Sequence, residues 1–200
     1  MNLVSKLVAG TLLLTFGGVA SAAVVTFQPS PVDLWDLDHY KAFTWRIDWS
    51  VPEGERLVSA ELLFENVRNW DDNSYDLWGH LLDYVDATEY FADDQDGSDY
   101  FAELPGLLFH WDYTGGSDPH EIPLDSEGGK DVTYSFTVEQ LGWLESYSAD
   151  GSFGLGFDPD CHFWNNGITL RLQTQSVPEP TAPFLLLAGV SLLFIRRRSR

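Results

Sequence analysis

The segment Asp93-Asp94-Gln95-Asp96-Gly97-Ser98-Asp99 crowds oxygen donors around a glycine, the composition a hard cation such as calcium takes. Placing Gly97 at the sixth place of a calcium loop sets Asp94 at the third, Asp96 at the fifth and Glu103 at the twelfth. The first place falls on Ala92, where a carboxylate is wanted. Two readings stay open: a calcium site built on Asp94, Asp96 and Glu103, or a solvated acidic loop. Extracellular calcium modules bind at about 10⁻⁴ to 10⁻³ M, an affinity that staples a loop rather than senses a signal. Asp71, Asp72 and Asn73 form a sparser cluster of the same kind.

A second stretch, Phe157-Asp158-Pro159-Asp160-Cys161-His162-Phe163, puts Asp158, Asp160 and His162 on one side if it is extended, with Cys161 on the other. That would offer an Asp/His metal site. Against it, Pro159 argues for a turn with a buried thiol. Cys161 and His162 are adjacent, so their side chains diverge in a strand and do not form a nucleophile and base. Cys161 is the one cysteine of the chain and has no internal disulfide partner.

Flat aromatic rings cover the apolar faces of sugars, and all eight tryptophans fall between Trp35 and Trp164. Trp45, Trp49 and Trp111 sit in alternating apolar patterns that suit a core. Trp35, Trp70 and Trp164 lie by turns or acidic segments, and they are the candidates for carbohydrate stacking. Ordinary loop packing is the competing account of the same three residues.

Composition narrows the function classes. The chain has 200 residues and a formal charge of −20, and 30 acidic but only 6 basic residues lie between Ala23 and Val177. Such a domain offers no basic footprint and repels phosphate backbones, so nucleic acid is excluded as a partner. Carboxylates are plentiful, but no distinctive nucleophile or zinc-ligand spacing marks a hydrolase.

The elements that must position these residues are strands. Val132, Tyr134, Phe136 and Val138 alternate with polar residues, as a half-buried strand requires. Phe43, Trp45, Ile47 and Trp49 repeat the pattern, as do Val58, Ala60, Leu62 and Phe64, then Leu107, Phe109, Trp111 and Tyr113, then Ile168, Leu170 and Leu172. Asn166-Gly167 predicts a tight hairpin that pairs the last strand with Phe153 to Trp164. Glu139 to Ala149 is the predicted helix, with Leu141 and Leu144 on one face and Gly151 placed to end it. The expected fold is all-β: an antiparallel β-sandwich, in its most specific form a jelly roll, with one short helix.

Both ends are apolar. Lys6, the run Leu7 to Val19 and Ala20-Ser21-Ala22 form a secretory signal with expected cleavage by signal peptidase after Ala22. Near the other end Thr181 to Ile195 carries no charge and is followed by Arg196, Arg197, Arg198 and Arg200. A basic tip halts translocation and stays in the cytoplasm. Fifteen helical residues reach about 22 Å, short of the roughly 30 Å hydrocarbon core, so this inner-membrane anchor is marginal. The expected organisation is therefore a signal peptide over 1–22, an exported domain over 23–177 and a tail over 178–200.

Pro178, Glu179 and Pro180, followed by that apolar helix and the arginine cluster, resemble the PEP-CTERM sorting signal of Gram-negative bacteria. The resemblance covers only the tail. It implies recognition by an exosortase, a membrane-embedded cysteine protease or transpeptidase that cuts near the triplet and sends the protein to the cell surface or exopolysaccharide matrix. The resulting expectation is an exported, non-enzymatic surface or matrix protein with a structural or adhesive role. The alternative is a carbohydrate-binding module, with extracellular polysaccharide as its partner. An exported hydrolase stands behind both.

Overall fold

Three departures from strict alternation shape the sheets. The computed structural model describes residues 22–70, 76–93, 97–112, 122 and 128–177. The signal peptide through Ser21, the tail from Pro178 with its sorting motif and apolar helix, Asp71 to Asn73, Asp94, Asp96 and Tyr113 lie outside the described residues.

Ten strands are present among the described residues: β1 Ala22–Phe27, β2 Lys41–Ile47, β3 Glu55–Asn69, β4 Asp76–Leu82, β5 Glu89–Ala92, β6 Leu107–Asp112, β7 Lys130–Ser135, β8 Phe153–Pro159, β9 Phe163–Trp164 and β10 Gly167–Ser176. They form two antiparallel sheets. One has the order β1-β10-β3-β7, with β9 also on β3, and the other has the order β5-β2-β8-β4-β6. The described residues are thus all-β and sandwich-like, with one short α-helix among them, α1 Val138–Tyr147.

Phe64 and Leu170 of the first sheet and Trp45, Leu155 and Phe157 of the second share one apolar core. The Phe64 ring meets those of Phe109, Trp111 and Phe157 edge-on at 5.2 to 6.1 Å between centroids. Each fully buried side chain of this size stabilises by about 1.5–3 kcal/mol.

β10 follows its predicted alternation, with Ile168, Leu170 and Leu172 buried. β3 does not follow it throughout. Gln173 pairs with Ser59 but Thr174 pairs with Leu57, so Val58 is an extra residue and Leu57, not Val58, turns into the core. Leu57 donates its N–H to Glu145 Oε1 of α1 at 2.8 Å.

The same correction applies to β6. Gly79 pairs with Phe109 and His80 with Leu107, which makes Leu108 the extra residue. Leu108 is buried and Leu107 exposed, the reverse of the sequence expectation. A third irregularity, between Phe64 and Val67 of β3, puts Asn66 at φ 52, and its N–H donates to Asp131 Oδ1 at 2.9 Å.

Two further expectations are overturned. Val138 is not an inward strand residue: β7 stops at Ser135 and Val138, 87% exposed, opens α1. A capping box explains the switch, because Thr137 accepts from the Gln140 N–H while Gln140 Oε1 accepts from the Thr137 N–H. The predicted stop at Gly151 holds: this residue has φ 104 and closes a short turn on the Ser148 carbonyl.

Asn166-Gly167 does not make a hairpin either. β8 pairs with β2 and β4, whereas β9 and β10 lie one after the other along β3. The chain crosses between sheets at Asp160 and Cys161 instead.

β8 is the central strand of its sheet and is buried on both faces. Its glycines permit that. A Cβ at Gly154 would lie 2.5 Å from Val85 Cγ1, and one at Gly156 would lie 2.9 Å from Phe101. Val85, Phe101, Leu82 and Ala42 thereby form a small second core over the outer face.

Candidate functional site

The end of β3 and the short strand β9 build a cross-strand ladder. Arg68 faces Trp164 and Asn69 faces Phe163, and the Trp70 N–H donates to the His162 carbonyl at 3.1 Å. Side chains alternate across a pleated pair. Asn69 and Phe163 therefore point inward, both fully buried, while Arg68, Trp70, His162 and Trp164 share the other face.

The rings on that face touch. Trp70 and Trp164 are stacked at 6.1 Å and 12°. The His162 ring lies 4.9 Å from Trp164 and 5.9 Å from Trp70, and the Arg68 guanidinium sits 5.3 Å over Trp164. Trp70 is 55% exposed. Two of the three predicted stacking residues thus come together. Trp35 packs elsewhere, half-buried, on Phe43 and Tyr90.

A second segment completes the site. Leu34, Trp35, Asp36 and Leu37 all have positive φ, between 46° and 63°, and Tyr40 has φ 62. Left-handed backbone costs non-glycine residues on the order of 1–2 kcal/mol each. Complete burial of Leu34 and Leu37 is of the size needed to hold the turn. The Asn165 side-chain amide also ties it down, donating to the Asp33 carbonyl at 3.1 Å.

The turn delivers Asp38, His39 and Tyr40 beside the ladder. The His39 ring is 5.7 Å from Trp70 and 6.0 Å from His162. Asp38 Oδ1 lies 3.1 Å from His39 Nδ1 and 3.4 Å from His162 Nδ1, and Lys41 Nζ meets Asp38 Oδ2 at 2.5 Å.

The charges respond to this crowding. Burial works to raise the Asp38 pKa, but the Lys41 ammonium, with His162 and His39, holds the carboxyl below its ordinary value. Burial pushes the His162 imidazole down, against the pull of Asp38 and Asp36. Burial, with Asp33 adding to it, raises Asp36.

The predicted grouping of Asp158, Asp160 and His162 separates at the sheet crossing. His162 goes to the aromatic ladder. Asp158 ends in β8, fully buried, where its Oδ2 accepts from the Tyr100 N–H at 2.7 Å. Burial drives its pKa up to about 7, opposed by that N–H and reinforced by Asp93, Asp160 and Asp99.

The acidic loop is anchored at the same place. Asp99 accepts from the Phe101 N–H at 2.9 Å and from His80 Nε2 at 2.8 Å. Gly97 has φ 75, as a sharp bend needs, and a Cβ there would lie 3.7 Å from Asp160 Oδ2. Of the predicted calcium ligands, Asp94 and Asp96 lie outside the described residues and Glu103 is exposed on the turn that follows Tyr100. Ala92, in the first place of the loop, belongs to β5 and pairs with Lys41.

Sequence reasoning found Trp70, Trp164 and His162 but not Arg68, Asp38 or His39. The available signal was the alternation Arg68-Asn69-Trp70, which matches His162-Phe163-Trp164 across a strand pair. No protein-family model and no curated protein matches this chain.

Proposed function

We propose that this is an exported, non-catalytic surface or matrix protein whose adhesive role rests on binding polysaccharide at the Trp70–Trp164 face. The carrying observation is the exposed Trp70 ring stacked on Trp164, with Arg68, His39 and Asp38 beside it. An aromatic surface covers a sugar's apolar face, and flanking polar groups bind its hydroxyls.

The strand order supports a jelly roll as the finer form of the fold. With β5 and β9 set aside as additions, the eight remaining strands in chain order read 1-8-3-6 in one sheet and 2-7-4-5 in the other. That arrangement suits two Greek keys, an architecture that lectin domains use among others. Fold alone does not assign the ligand.

Export rests on the sequence of the two ends. Signal peptidase would cut after Ala22, and an exosortase would act near Pro178, Glu179 and Pro180 after a transient stay in the inner membrane. Calcium, held by the acidic loop or bridging it to anionic polysaccharide, belongs to the same proposal, and millimolar calcium should raise the melting temperature.

Glycan-array retention by the secreted protein tests the binding reading. Trp70→Ala and Trp164→Ala should each lower retention at least tenfold, and unchanged retention in both overturns it. Mass spectrometry of the protein from hosts with and without the exosortase tests the route. New termini at Ala23 and near Pro178 are expected, the second only when the exosortase is present.

A further inference from the structure

Asp38, His39 and His162 each offer one donor atom within 4.8 Å of the others. The recorded separations are informative. Asp38 Oδ1 is 3.1 Å from His39 Nδ1 and 3.4 Å from His162 Nδ1. A tetrahedral ion with bonds of about 2.0–2.1 Å holds its donors about 3.3 Å apart along each edge. Both separations are close to such an edge.

A second observation is independent of those distances. Among the described residues neither ring nitrogen of His162 has a hydrogen-bond partner, although both are buried and the side chain is only 13% exposed. A buried polar group in that condition calls for a partner. Lys41 engages the other carboxylate oxygen, Oδ2, and so turns Oδ1 toward the imidazoles, in the way outer partners orient metal ligands.

We propose that Asp38, His39 and His162 bind a divalent first-row transition ion, with zinc as the best fit, and leave a fourth position open. Two imidazole nitrogens and one carboxylate oxygen suit zinc, whereas calcium takes oxygen ligands only. This site is separate from the acidic loop, and it does not depend on the polysaccharide reading. Asp38 and His39 are each about 30% exposed, which leaves the ion a way in.

The test uses the full chain stripped with a chelator and then titrated with zinc chloride by calorimetry. One equivalent should bind, and cobalt(II) in its place should give the visible absorption of a tetrahedral ion. Copper(II) should quench tryptophan emission, since the Trp164 and Trp70 rings lie 4.9 and 5.9 Å from that of His162.

Asp38→Asn and His162→Gln should each weaken zinc binding at least tenfold. His110→Gln, which alters a histidine paired with Asp76, should leave it unchanged. If His162→Gln does not fold, the more exposed His39→Gln carries the test with the same expected loss. Absence of a one-to-one binding event, or equal affinity in the parent and the folded ligand variants, overturns the proposal and leaves an Asp/His ion-pair cluster.

Discussion

The main-chain N–H of Trp70 donates to the carbonyl of His162 at 3.1 Å. Backbone pairing, rather than ring packing, therefore sets the two side chains on one face. Removal of the exposed Trp70 ring should leave the strand pair standing. Trp70→Ala is expected to change stability by less than about 1 kcal/mol while lowering retention in the proposed glycan assay at least tenfold. Trp164, half-buried between Trp70 and Arg68, should cost more stability when truncated. Urea unfolding of the two variants checks the order, and a larger loss for Trp70→Ala contradicts it.

Asp158 makes stability depend on pH. Its carboxyl titrates near 7 in the folded chain against an ordinary 3.8. The folded state then holds a proton that the unfolded state has released between those values. The contribution is full below pH 3.8 and is lost as pH rises toward 7, by on the order of 4 kcal/mol. Asp158→Asn keeps an acceptor for the Tyr100 N–H and removes the titration. The difference in unfolding free energy between variant and parent should grow from pH 4 to pH 8 in favour of the variant. Parallel curves would count against this account.

Two glycine substitutions should have opposite signs. A Cβ at Gly154 would come within 2.5 Å of Val85 Cγ1, so Gly154→Ala should destabilise by about 1–3 kcal/mol. At Gly142, inside α1, a Cβ meets nothing within 4 Å among the described residues. Gly142→Ala should stabilise by about 0.5–1 kcal/mol, the usual helical preference for alanine. Thermal melts of the two variants on either side of the parent are the expected result.

Glu145 is the partner of a displaced strand group. It accepts the Leu57 N–H at 2.8 Å, beside the point where Val58 bulges out of register. Glu145→Ala should cost about 1–2 kcal/mol, because a donor at a buried residue loses its acceptor. Glu145→Gln keeps an acceptor and should cost less than half as much. Denaturant midpoints of the pair separate this bond from the residue's charge.

The sequence showed the strands because Ile168, Leu170, Leu172, Phe43, Trp45 and Ile47 alternate without interruption and each enters the core. It misplaced Val58 and Leu107 because a bulge moves the phase by one residue, and a bulge is decided by the partner strand rather than by local pattern. Asn166-Gly167 has hairpin chemistry, but Asn166 donates its N–H to the Glu65 carbonyl at 2.8 Å, next to the pairing of Gly167 with Glu65. At the site, Trp70 and Trp164 were legible from their turn-like settings. Asp38 and His39 were not, since they reach His162 through a left-handed turn at Leu34–Leu37 that no glycine announces.

The pairing of the long strands separates where the chain joins the domain from where the aromatic ladder lies. Ala22 lies opposite Gln175, Ser176 opposite Glu55, and Val177 donates to the Gly54 carbonyl at 2.8 Å. Entry and exit are thus side by side at the Glu55 end of β3. Trp70 follows its other end, and fourteen strand steps at about 3.3 Å set an upper bound of roughly 45 Å on the separation, which the irregularities at Val58 and Asn66 shorten. Within the domain, a load applied at Ala22 or Val177 enters through the edge pairing at Glu55 and reaches the tryptophan face only along the length of β3.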